Sequence, residues 1–194
     1  MEGSEIGLVG VTHSELWVAE KNFRYVMQIL ERLSPGFVTL EVGLHDITNK
    51  SFFGRALRAK ANELEGLEQE YLEKPPPGAE YIAAIIYCKK NNIPLYFVDL
   101  YDGSLEEVTS VNITDLEDPS VVWNDSGALD EETLKKLADN VERNKFMAKA
   151  IDKVANTFPN SVGVHIGGDA HLRGKESLQN LISSRNTRLF EIPY

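Results

Sequence analysis

The sequence is poor in the residues that carry most recognisable chemistry. It holds one cysteine, Cys88, and four histidines in 194 residues. A lone cysteine excludes an internal disulfide and a thiolate metal cluster. Its setting, AIIYCKK, reads as a small side chain packed inside a helix. Basic residues are outnumbered, 20 Lys and Arg against 30 Asp and Glu, for a formal net charge of -10. A field of that sign repels phosphate backbones and anionic lipid, so nucleic-acid and membrane-surface roles are set aside. No apolar run approaches the ~20 residues of a membrane-spanning helix. The opening MEGSEIGLVG lacks the basic start and long apolar core of a secretory signal, which leads to the expectation of a cytoplasmic location. No HExxH pair occurs, so a zincin-type site is excluded. Internal repeats, low-complexity tracts and clear linkers are also lacking.

What is present is enough to build a core. Hydrophobic residues make up 42% and charged residues 26%, and the length fits one α/β domain over residues 1–194. Ile6–Thr12 (IGLVGVT) reads as a buried strand. A helix follows from about Ser14 to Leu33, where Leu16, Phe23, Met27, Leu30 and Leu33 share one stripe. Ser34-Pro35-Gly36 ends it, and Phe37–Val42 is a second strand. Arg55–Leu72 is helix-rich, Pro75 to Gly78 breaks the chain, and Ala79–Asn91 is helical again. Leu95–Leu100 is a third strand. The pattern from Tyr101 to Leu129 is mostly loop, with a short strand expected at Val108–Ile113. Asp130–Ala155 is the strongest helix, Ser161–Ile166 a fourth strand, Leu172–Ser184 a helix and Thr187–Ile192 an edge strand. Strand and helix in alternation predict a three-layer domain around a mostly parallel sheet. The last strand leaves an edge that permits a homodimer.

Ligands of such sheets bind beyond the carboxyl ends of the strands. Two Gly-x-x-His segments fall there, Gly10 to His13 after the first strand and Gly168 to His171 after the fourth. Glycine permits a sharp turn or a close approach, and the histidine three residues on stands at the mouth of the next helix. Glu41 ends the second strand and Asp99 the third. Two histidines and a carboxylate suit a divalent metal with an open position, or a metal-free general base with orienting groups. Each residue taken alone has a structural explanation. Glycine serves the turn, His13 neighbours a helix cap, Glu41 pairs with a helix lysine, and Asp169 caps the helix it precedes. His45 lies in a loop near the site, and His165, inside the fourth strand, reads as a hydrogen-bonded core residue. Asn144 interrupts the apolar stripe of the long helix, where a buried amide needs partners, and Arg143 flanks it.

Four segments in order, GVTH, the strand ending in Glu41, ERNKFMAKAI (Glu142–Ile151) and GGDAHLRG (Gly167–Gly174), resemble the TraB/PrgY family. That family is grouped with ChaN-like, erythromycin-esterase-like and Tiki proteins. The resemblance implies an α/β fold of the ChaN-like and erythromycin-esterase-like type, with His13, His171 and Glu41 as site residues. Arg143 and Asn144 match the polar pair on the family's late helix. Relatives often carry Arg-Asp there, and Asp169 stands where many have a small residue.

The expected function is a metal-dependent hydrolase, with a peptidase as its narrower form. His13, His171 and Glu41 would hold Mn²⁺, Co²⁺ or Zn²⁺. Glu41, Arg143 and Asn144 would carry catalysis, with Arg143 on the developing oxyanion, supported by Gly10, Gly168 and Asp169. A metal-free esterase-type hydrolase and a non-catalytic binder of peptide or small ligand are the alternatives.

Overall fold

The computed structural model describes residues 5–12, 16–42, 52–99, 104–115 and 140–192. Its first strand, β1 (Glu5–Val11), is buried from Ile6 onward. Such a strand needs apolar residues pointing both ways, and this one lies between two neighbours in the sheet. Helix α1 (Leu16–Leu33) follows, then β2 (Phe37–Leu40), whose four residues are all buried. Helices α2 (Phe52–Arg58), α3 (Leu64–Glu73) and α4 (Ala79–Asn91) lead to β3 (Leu95–Phe97). Then come α5 (Leu105–Ser110), a 3₁₀ turn at Ile113–Asp115, and α6 (Asn140–Thr157). The chain closes with β4 (Gly163–Gly168), α7 (Asp169–Leu172), α8 (Leu178–Leu181) and β5 (Asn186–Glu191).

The five strands form one sheet in the order β3-β2-β4-β1-β5, every pairing parallel. Side chains alternate across it. Val9, Val11, Val38, Leu40, Val164 and Ile166 face α1 and α4. Ile6, Leu8, Phe37, Tyr96 and Val98 face α6 and its neighbours. The result is the expected three-layer α/β architecture. The connections from β1 and β2 run along one face and those from β3 and β4 along the other. Adjacent strands β2 and β4 therefore send the chain in opposite directions, which opens a crevice at their carboxyl ends.

Several local expectations need correction. Val108–Ile113 is not a strand. Ser104 accepts from the Glu107 amide while the Glu107 carboxylate accepts from the Ser104 amide, and this capping box starts α5 instead. The single helix expected over Leu172–Ser184 is two short ones, α7 and α8. Gly174 between them takes φ +100°, a conformation no helix contains. Strand β4 starts later than its sequence suggests and runs on through both glycines, because Gly167 and Gly168 pair with Gly10 and Val11 of β1. The first ten residues of the predicted Asp130–Ala155 helix, and most of the Tyr101–Leu129 loop, lie outside the described residues, as do His13 and His45. No helix among the described residues is long and apolar enough to cross a membrane.

Candidate active site

Four strand ends and the first turns of two helices bring polar side chains to the crevice. Glu41 extends β2 by one rung, its amide donating to the Ile166 carbonyl at 2.9 Å. Its side chain is 7% exposed. Both carboxylate oxygens are engaged. Oε2 accepts from the Gly168 amide at 2.6 Å. Oε1 accepts from Arg143 Nη2 at 2.9 Å and lies 3.1 Å from His171 Nε2.

Arg143 stands on the first turns of α6 and reaches over the sheet edge. Its Nε and Nη2 donate to the two oxygens of Asp99 at 3.1 and 2.6 Å, while Nη2 also reaches Glu41. Asp99, just past β3, is nearly buried. The fork-shaped guanidinium thus ties two strand ends together. Its charge is already shared between two carboxylates, so its first effect is to hold Glu41 ionised and in place.

Asn144 uses both ends of its amide. Its Nδ2 donates to the Glu176 carbonyl at 2.7 Å, a structural bond to a loop. Its Oδ1 lies 2.6 Å from His171 Nδ1. Because Nδ2 is committed to a carbonyl, the oxygen must face the ring, and His171 carries a proton on Nδ1. A neutral ring then has its lone pair on Nε2, pointing at a carboxylate oxygen. Two electron-rich atoms at that distance repel unless a proton or a metal cation lies between them.

The glycines have distinct tasks. A Cβ on Gly10 would lie 2.9 Å from Asp169 Oδ1 and 3.2 Å from Leu172, so that glycine lets α7 close over β1. A Cβ on Gly167 would lie 2.8 Å from Glu41 Oε2. Gly168 contributes its amide and occupies the N-cap position of α7, so Asp169 is not the cap. Asp169 instead pairs with Arg173 on the surface.

Two residues of the site region were not picked out by sequence. Tyr81, in the first turn of α4, is buried, and burial together with Glu41, Glu80 and Asp99 pushes its phenol far above the ordinary range. It is a neutral hydroxyl among carboxylates. Glu80 beside it is nearly buried and lies 3.4 Å from Asn22 Nδ2, which also donates to the Thr12 carbonyl at 3.1 Å. An acidic residue among the apolar neighbours of α4, right after the Pro75–Gly78 break, was the available signal. His165 is the fully buried, hydrogen-bonded core histidine expected of it at Nδ1, 3.0 Å from Thr39 Oγ1, while Nε2 has no hydrogen-bond partner among the described residues.

Among the described residues, no group of three or more His, Cys, Asp or Glu is arranged to hold a metal. The donors brought together are the pair Glu41 and His171. Their separation and the Asn144 bond behind His171 fit two ligands of one ion, with the second-shell acceptor that ligating histidines need. Comparison with protein-family models, with curated proteins and with solved structures finds no match for the chain.

Proposed function

We propose that this chain is a hydrolase of the TraB/PrgY-like kind, acting on a peptide or small acyl substrate in the crevice, with Glu41 and His171 as the core of its site. One observation carries the reading. His171 Nε2 and Glu41 Oε1 stand 3.1 Å apart with Nδ1 committed to Asn144, and only a cation or proton makes that contact favourable.

Glu41 and His171, joined by His13 from the first Gly-x-x-His segment, would hold a divalent ion such as Mn²⁺, Co²⁺ or Zn²⁺. When bound, such an ion polarises a carbonyl and lowers the pKa of water. The chain's own residues do the rest. Arg143 and the Gly168 amide keep Glu41 anionic and oriented, Asp99 keeps Arg143 in place, and Asn144 fixes the tautomer of His171. Tyr81 is a neutral hydroxyl near the same carboxylates. The same contact also favours a metal-free reading in which the intervening cation is a proton. His171 would then be an imidazolium and a source of that proton for a leaving group.

Calorimetric titration of Mn²⁺, Co²⁺ and Zn²⁺ into chelator-treated protein separates the two. Stoichiometric binding is expected in the native chain, weakened at least tenfold in Glu41→Gln and in His171→Ala, as ligand loss requires (roughly 10–100-fold even for outer-shell groups). Equally weak binding in all three proteins would sink the metal scheme and leave the imidazolium form, to be tested by ester hydrolysis in the presence of chelator.

A further inference from the structure

His165 faces the α6 side of the sheet from β4, flanked in register by Thr39 of β2 and Leu8 of β1. Glu41 and Gly167 occupy the next layer up. The place a Cβ on Gly167 would take lies 2.8 Å from His165 Nε2 and 2.8 Å from Glu41 Oε2. The absent side chain therefore leaves the ring nitrogen and the carboxylate oxygen as near neighbours above a bare stretch of backbone. A buried ring nitrogen without a hydrogen-bond partner is costly, and folds keep such groups where something offsets the loss.

We propose that His165 is a positioning residue for Glu41, fixed as the neutral tautomer with its proton on Nε2, so that this N–H faces the Oε2 side of the carboxylate from beneath. The Thr39 hydroxyl can either donate or accept, so it does not choose the tautomer. The charge of Glu41 does. A lone pair on Nε2 would face that negative charge, whereas an N–H is drawn to it. Burial, helped by His171 nearby, pushes the His165 imidazolium down to about 3, so the ring stays neutral and serves as a fixed dipole. In this arrangement the Gly168 amide bonds Oε2, and the His165 Nε2–H adds a standing field that resists withdrawal of Glu41 toward the strand.

The inference rests on Glu41 being the site carboxylate, but its test does not need turnover. Long-range ¹H–¹⁵N correlation of the histidine rings in the full chain reads each tautomer directly. For His165 at neutral pH, a protonated Nε2 and a bare Nδ1 are expected. In Glu41→Gln, which removes the charge and keeps the shape, the Nε2 resonance is expected to move more than Nδ1. A proton on Nδ1, an imidazolium, or an Nε2 resonance indifferent to Glu41→Gln would each overturn the proposal. Absence of hydrolysis would bear on the function of the site and leave these spectra as they are.

Discussion

At Gly167 the chain has no side chain to spare. A methyl group there meets the end of Glu41 on one side and the His165 ring on the other, each at 2.8 Å. Gly167→Ala is expected to destabilise the fold by about 1–3 kcal/mol through overpacking and to push Glu41 off its Gly168 bond. Denaturant unfolding gives the first, and loss of metal or ligand affinity gives the second. Unchanged affinity would mean Glu41 has slack that its bonds to Arg143 and Gly168 do not suggest. At this scale the sequence was legible where a residue was chemically unusual for its place. A glutamate ending a buried strand, an Arg-Asn pair on an apolar helix face and a histidine three residues past a glycine all pointed to the crevice. Glu80 and the unpartnered nitrogen of His165 escaped because their signal is burial, and burial is a property of the neighbours. A histidine inside a strand looks the same from sequence whether or not both its nitrogens are bonded.

Element by element, what decided success was whether the local pattern competed with a cap. Ala79–Asn91 is apolar on nearly every side and could only be a buried helix, which α4 is. Val108–Ile113 has the β-branched residues of a strand, yet the two reciprocal bonds of the Ser104–Glu107 box nucleate α5. Ser104→Ala is expected to cost ~1 kcal/mol, seen as a lowered unfolding midpoint, while Thr109→Ala nearby should cost less. No such difference would show that packing of Val108, not the cap, holds this helix. The end of α6 shows a related economy of means. Arg185, arriving from the approach to β5, donates to the carbonyls of Ala155, Phe158 and Ser161 and so satisfies the exposed end of the helix that carries Arg143. Nothing in the sequence links an arginine at position 185 to a helix ending at 157, since the two meet only through the fold.

For the molecule as a whole, acid is the informative stress. The neutral His165 ring has its ionisation pushed from 6.5 to about 3 in the folded chain. The unfolded state therefore binds the extra proton across that interval, and stability present above about 6.5 is lost as pH falls toward 3. The linked loss is on the order of 5 kcal/mol over the full interval. Melting temperature measured from pH 7 to pH 4 is expected to fall steeply, and His165→Gln to flatten part of that slope. Parallel slopes in the two proteins would mean that other groups dominate.

The strand order has a temporal side. Among the described strands β1 precedes the others in the chain, but it lies between β4 and β5, which occupy Gly163–Gly168 and Asn186–Glu191. During synthesis it has to wait, without those neighbours, while the roughly 150–175 residues that separate it from them emerge, roughly 8–35 s at ordinary elongation rates. Until then the hydrogen-bonding edges of β1 are bare on both sides. The acidic character of the chain, through mutual repulsion of half-made copies, suits a protein in which an early interior strand is enclosed late.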